Sequence, residues 1–182
     1  MKRTKVLILM VLGLAFSTST FAQNGRFSLG AELALPMGDF ADFSSIGFGG
    51  SLRYEYPVSD NIGLTGTVGY LIFGGKAEGD FDGIDYSMIP IQIGGKYYFT
   101  ENQNGMYFGV EVGVHSLKAE YTEDFGGSEI SVSTTSTELS YAPALGYHLA
   151  NVDIGLRYQM IATEGESTSY LGIRLAYVFG EQ

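Results

Sequence analysis

The most constraining feature of this chain is a strict two-residue alternation that recurs along it, clearest in the last segment, Ser169 to Phe179, SYLGIRLAYVF. Leu171, Ile173, Leu175, Tyr177 and Phe179 fall on one side of an extended strand. Tyr170, Gly172, Arg174, Ala176 and Val178 fall on the other, so one face is continuously apolar and the opposite face is smaller and carries a charge. Seven upstream segments repeat the pattern, and the rest of the chain offers no amphipathic helix to cover the apolar faces. A sheet of this kind satisfies both its backbone and its apolar face if it closes on itself and faces lipid.

The expected strands are Arg26 to Leu35, Ile46 to Tyr56, Ile62 to Ile72, Tyr86 to Phe99, Met106 to Ala119, Glu138 to Leu149, Val152 to Ile161 and Ser169 to Phe179. The connections alternate long and short. Pro36 to Ser45, Phe73 to Asp85, Glu120 to Thr137 and a loop holding Glu164 and Glu166 fall at one end; Pro57 to Asn61, Thr100 to Gly105 and Ala150-Asn151 fall at the other. This is the rhythm of an up-and-down meander with short periplasmic turns and long outer loops. Most segments reach the roughly 9–11 residues that a tilted strand needs to cross hydrocarbon. Pro90 interrupts the fourth segment, and a β-bulge near the membrane rim is the expected accommodation. The fold class expected is therefore all-β, an eight-stranded antiparallel up-and-down transmembrane β-barrel with its apolar face outward.

Magnitudes settle which face meets lipid. In the reversed phase Arg53, Lys96, Arg157 and Arg174 would lie in hydrocarbon, each costing about 2–4 kcal/mol near the midplane. Several such costs exceed the whole stability of a typical domain. A soluble, lipocalin-like barrel would have to pack too many aromatic rings inside and expose too many of the 26 glycines. With the apolar face outward, Glu32, Arg53, Glu55, Lys96, Glu111, Asp153, Arg157 and Arg174 share the lumen, which in so small a barrel is just filled by side chains. Unpaired charges there would be strongly destabilising, so an interior network of ion pairs is expected.

Residues 1–22 read as a cleaved secretory signal, leaving 23–182 as one barrel domain. Lys2, Arg3 and Lys5 precede an apolar run of 11 residues, Val6 to Phe16, and Thr20-Phe21-Ala22 offers a cleavage site. The run is too short for a membrane span. Removing it takes away three basic residues and no acid, so a net charge of −10 becomes −13. That field repels nucleic acid and favours cations or basic partners. No cysteine occurs, which excludes disulfides and thiolate chemistry.

Three stretches, IPIQIGGKYYF (Ile89 to Phe99), LSYAPALGYHL (Leu139 to Leu149) running into VDIGLRYQ (Val152 to Gln159), and GIRLAYVF (Gly172 to Phe179), give the chain its resemblance to a known family. It resembles the small eight-stranded outer-membrane barrels of the OmpX/OmpA transmembrane-domain type, the outer membrane protein beta-barrel domain group, from Arg26 to Phe179. The resemblance implies an outer-membrane location in a Gram-negative-type bacterium. It also implies outer-membrane lipid as the surrounding partner, and handling by the barrel-assembly machinery through Leu175, Tyr177 and Phe179. The chain departs from that C-terminal signal by continuing through Gly180-Glu181-Gln182.

Candidate chemistry is sparse. His115 and His148 are the only histidines, and strand geometry sets them some 15–20 Å apart along the axis, too far to share a metal. Asp80, Asp82 and Asp85 in GDFDGIDY lack the spacing and distal glutamate of an EF-hand. His115, Ser116 and Asp124 are the candidates for a rim enzyme, and no nucleophile motif supports them. The expectation is a non-enzymatic barrel without cofactor or metal. Its loop carboxylates, Asp80, Asp82, Asp85, Glu123, Asp124 and Glu129, would be displayed to an extracellular or envelope protein partner. The alternatives are a narrow porin-like channel through the ionic lumen and, more weakly, the rim enzyme.

Overall fold

The computed structural model describes residues 25–76, 85–125, 128–163 and 167–179. Eight strands follow one another: β1 (Arg26–Met37), β2 (Ser44–Pro57), β3 (Ile62–Gly75), β4 (Asp85–Tyr98), β5 (Gly105–Phe125), β6 (Ser128–Leu149), β7 (Val152–Ala162) and β8 (Ser167–Phe179). Each pairs antiparallel with its neighbours in sequence, and β1 closes on β8 from Phe27↔Phe179 to Met37↔Ser169. One turn of helix, α1 (Phe40–Phe43), joins β1 to β2, and a 3-10 turn (Glu101–Gln103) joins β4 to β5.

The strands present the faces that the alternation dictates. Ile93 and Leu139 leave 69% and 71% of their surface uncovered, while Arg53 and Lys96 leave 4% each, an inversion of water-soluble packing that fits a lipid surround. Phe27, Tyr54, Tyr56, Tyr97, Phe99, Tyr147, Tyr177 and Phe179 girdle the end with the short turns, where ring pairs such as Tyr97–Phe99 and Tyr177–Phe179 stack edge to face. We call this the turn end and the opposite one the loop end.

The region expected as the longest loop is instead a hairpin. Pairing of β5 with β6 runs from Gly105↔His148 to Phe125↔Ser128, so the polar stretch Glu120–Thr137 is almost entirely strand. Its alternating threonines, serines and β-branched residues suit extended backbone, and beyond the hydrocarbon a two-stranded ladder needs no apolar face. Among the described residues the pairing of the neighbouring strands reaches less far, for β4 to Asp85↔Glu120 and for β7 to Ala162↔Leu139. The expected loop over Pro36–Ser45 also contracts, because β1 runs to Met37, β2 begins at Ser44, and α1 fills most of the gap.

Pro90 produces no bulge. The β3–β4 register is the same on both sides of it, Val68↔Ile91 and Leu71↔Met88, and only the pairs between them are missing. Pro143 is handled likewise, with the β6–β7 ladder lapsing between Tyr141↔Met160 and Ala144↔Arg157. A proline needs relief only on the side to which its absent N–H would have donated. At Pro143 the Gln159 amide lies in the gap and donates to the Tyr141 carbonyl at 3.3 Å. A register shift does occur elsewhere, between Ser44 and Gly47 of β2 against β3.

Candidate functional site

Inward positions of six strands converge on a chain of shared ion pairs in the turn-end half of the lumen. Lys96 of β4 donates to Asp153 Oδ2 at 2.7 Å and lies 2.9 Å from Glu55 Oε2. Glu55 also accepts from Arg26 at 3.0 Å and from the Tyr98 hydroxyl at 2.7 Å. On the other side Asp153 accepts from Tyr107 at 3.1 Å and lies 3.5 Å from Arg174 Nη1. Arg174 then approaches Glu32 at 3.5 Å, and Arg157 approaches the second oxygen of Glu32 at 3.2 Å. Beside this chain Arg53 is bound to Glu111 and donates to Thr67 at 2.9 Å.

All eight inward charges singled out from the sequence are thus buried together, and each has an oppositely charged neighbour within 4 Å. Carboxylates from different strands share the cations because side chains reach across a lumen about as wide as they are long. Backbone space makes this possible. A Cβ at Gly30 would come within 2.9 Å of Arg174 Nε, one at Gly172 within 3.0 Å of Arg157 Cγ, and one at Gly146 would overlap the Tyr107 ring.

Two members are additional to the sequence reading. Arg26 joins the network from the first residue of β1, at the inward parity set by Ser28 and Glu32. Gln103 enters from the turn below. Asn102 and Gln103 both have positive φ, 64° and 50°, which folds the turn under the barrel. Its side-chain oxygen accepts from Arg26 at 2.6 Å, and its amide donates to the carbonyls of Ser59 and Ile62 at 2.8 and 2.9 Å. His148 Nδ1 lies 2.9 Å from the Gln103 carbonyl and 3.5 Å from Arg26 Nη1, which ties the histidine to both. The Asn-Gln-Asn-Gly run was the available signal, since asparagine and glycine tolerate the left-handed region.

Above the ions the lumen changes character. Gln92 donates to Gln159 at 3.1 Å, and His115 bridges Ser140 at 2.8 Å and Tyr170 at 3.2 Å. His115 and His148 therefore serve separate clusters. Ala34, Leu71, Phe73, Met88, Ile161 and Tyr170 then form a buried apolar plug, capped by Phe40 of α1 against Phe73 and Tyr86, with ring centroids 5.2 and 5.9 Å apart. Parity places Ala34, Leu71, Met88, Ile161 and Tyr170 inward, whereas Phe73, expected at the start of a loop, lies in β3, which runs on to Gly75; nothing in the alternation signals that charge gives way to aromatics near the loop end.

The candidate loop carboxylates are less well placed. Asp80 and Asp82 lie outside the described residues, as do Glu164, Glu166 and the whole signal segment. Asp85 opens β4, paired with Glu120, while Glu123, Asp124 and Glu129 stand near the tip of the β5–β6 hairpin, with Asp124↔Glu129 directly opposed. The rim constellation is not assembled. Ser116 follows His115 directly and takes the opposite parity, and Asp124 lies nine residues further along β5 than His115. Among the described residues no group of His, Cys, Asp or Glu could hold a metal.

The architecture has close counterparts. The sequence matches the profile of the outer membrane protein beta-barrel domain over residues 8–179. No curated protein sequence matches the chain. Among solved structures, Ail, the attachment invasion locus protein of Yersinia pestis, superposes with a TM-score of 0.63 at 18% identity, covering 86% of this chain and 98% of Ail. The N-terminal β-barrel domain of Pseudomonas aeruginosa OprF superposes at 0.55 with 14% identity, covering 85% and 97%. At such identities the likeness concerns the fold, whereas the profile spans nearly the whole sequence. The chain belongs to the outer membrane protein beta-barrel domain family and is an outer-membrane β-barrel protein.

Proposed function

We propose that the protein is a surface-interaction barrel, with a lumen closed by ion pairs and a working surface at the loop end. The observation that carries this reading is the β5–β6 hairpin. Beyond the last described β4 partner at Glu120, β5 continues for five residues, about 17 Å at the usual rise per residue. On β6, Ser128–Glu138 pairs with β5 on one side and with no described strand on the other. This edge, with no partner among the described residues and in a segment that holds Glu123, Asp124 and Glu129, is suited to pairing with an extended, basic segment of another protein. Facing outward from the cell follows the usual orientation of such barrels.

Ail has been crystallised with the heparin analogue sucrose octasulfate. A net charge of −10 makes a polyanion an unsuitable ligand for this chain, so a basic partner is the better fit. The lumen reading is supported by the tight packing around its ions. The void against Arg53, Tyr107, Glu111, Arg157 and Arg174 measures about 10 Å³, room for a single water.

Two measurements test the proposal. The protein in a planar bilayer should give no conductance steps, and joining Glu120 to Ser133 through a two-residue turn should leave the folded gel mobility intact while abolishing adhesion to polylysine-coated surfaces. Unchanged adhesion would remove the hairpin from the reading. Steady steps that scale with salt would favour a narrow pore instead. That second reading draws on buried polar atoms without a protein hydrogen bond, including Glu32 Oε2, Glu111 Oε2 and Arg157 Nε, which a file of water could satisfy.

A further inference from the structure

The loop-end mouth holds a cleft of about 290 Å³ above the apolar plug. Its walls are Phe40 and Phe43 of α1, Tyr86 and Met88 of β4, and Leu117 of β5, with hydroxyl groups of β6 and β8 on the far side. Among the described residues, Asp39 is the one charged residue in the lining. Below, the plug of Phe73, Met88 and Tyr170 closes the floor, so the cleft is a dead end and not an entrance to a channel.

Two details show that the lining is not consumed by the fold. Asp39 occupies the N-cap position of α1, where a carboxylate ordinarily accepts from the helix, yet its side chain makes no cap bond. Phe43 leaves 60% of its surface uncovered, although it sits on the inner side of the mouth and not in the lipid-facing band. Lys76, the cation beside α1, sends its ammonium to the Ala41 carbonyl. The helix is thereby clamped to the rim, and the Lys76 charge is directed at backbone instead of the cleft.

An apolar hollow of this size, with aromatic walls and one carboxylate, matches what a small organic cation requires. The rings offer the negative faces of their π systems, the carboxylate supplies a counter-charge, and the hydroxyls can accept or donate. An organic anion would meet Asp39 and a negatively charged molecule. A volume at the lower edge of the ligand-pocket range admits one ring with a short ammonium arm. We infer that the loop-end cleft binds small aromatic ammonium compounds, with Phe40, Phe43 and Tyr86 taking the apolar body and Asp39 the positive charge. The inference is independent of any partner at the hairpin tip, because every lining residue remains when the hairpin is shortened at Glu120 and Ser133.

The test is titration calorimetry of the protein in lipid nanodiscs with three probes of similar shape: benzyltrimethylammonium, benzyl alcohol and phenylacetate. Saturable binding of the cation is expected, at least about tenfold tighter than phenylacetate. Asp39→Asn should weaken the cation on the order of fivefold and leave benzyl alcohol unchanged. Phe43→Ala, at an exposed ring that the fold does not need, should weaken both the cation and the alcohol. Absence of cation binding would overturn the inference. So would equal binding of all three probes, or a cation affinity indifferent to both substitutions.

Discussion

At the turn end the lumen is filled by charged side chains from six strands, whereas at the loop end the same width is filled by Leu71, Phe73, Met88, Ile161 and Tyr170. The two fillings obey different rules. An apolar plug works by volume, and a missing atom costs the contacts it made. An ionic layer works by pairing, and a missing partner strands a charge already paid for in desolvation. Asp153 shows the difference in sensitivity: one carboxylate receives Lys96, Tyr107 and Arg174, so its loss would affect three elements at once. The apolar layer has an open cleft above it into which neighbouring side chains can relax.

The largest expected effect therefore lies in the ionic layer. Asp153→Ala should lower stability by about 3–5 kcal/mol, read as a shift in the urea midpoint of the protein in lipid. Leu71→Ala, in the apolar layer, should cost about 2–3 kcal/mol, the low side of the range for a buried leucine, because the plug can collapse toward the cleft. If the two costs came out reversed, the distinction between pairing and volume would fail.

A sharper contrast comes from removing both members of a pair. Replacing Arg53 and Glu111 together with methionine and leucine should change stability by less than about 1 kcal/mol, although Glu111→Ala alone should cost about 3 kcal/mol. A double-mutant cycle in the same urea assay measures this difference. The smallest effect belongs to the rim. Lys76→Met removes the donor to the Ala41 carbonyl and should leave global stability within about 0.5 kcal/mol. It should speed hydrogen exchange at Ala41 and Asp42, whose amides hold the single helical turn.

Much of this layout is legible along the chain, for a reason that the network itself illustrates. Lys96 and Asp153 are 57 residues apart and still meet, because closure of the meander brings every inward position of one height into one narrow layer. Parity alone therefore assigns Glu32, Arg53, Glu55, Lys96, Glu111, Asp153, Arg157 and Arg174 to the lumen. Which carboxylate serves which cation depends on strand stagger, and parity carries no information about height. Gln103 escaped because its role depends on a turn with two positive φ angles, and turns carry no period. The Glu120–Thr137 stretch reads as loop because polarity on both faces usually means loop; outside lipid, a paired hairpin can be polar on both faces too.

Parity along the chain sets the strand number, the direction in which each face points and the lipid surround, since a one-residue shift in phase would place four cations in hydrocarbon. Closure into a barrel makes the lumen ionic at one end and aromatic at the other, seats Pro90 and Pro143 in gaps of unbroken register, and lets α1 leave a lined hollow at the mouth. Alternation is a property of neighbouring residues and survives in one dimension, whereas stagger, layering and empty space arise only when eight strands are brought around one axis.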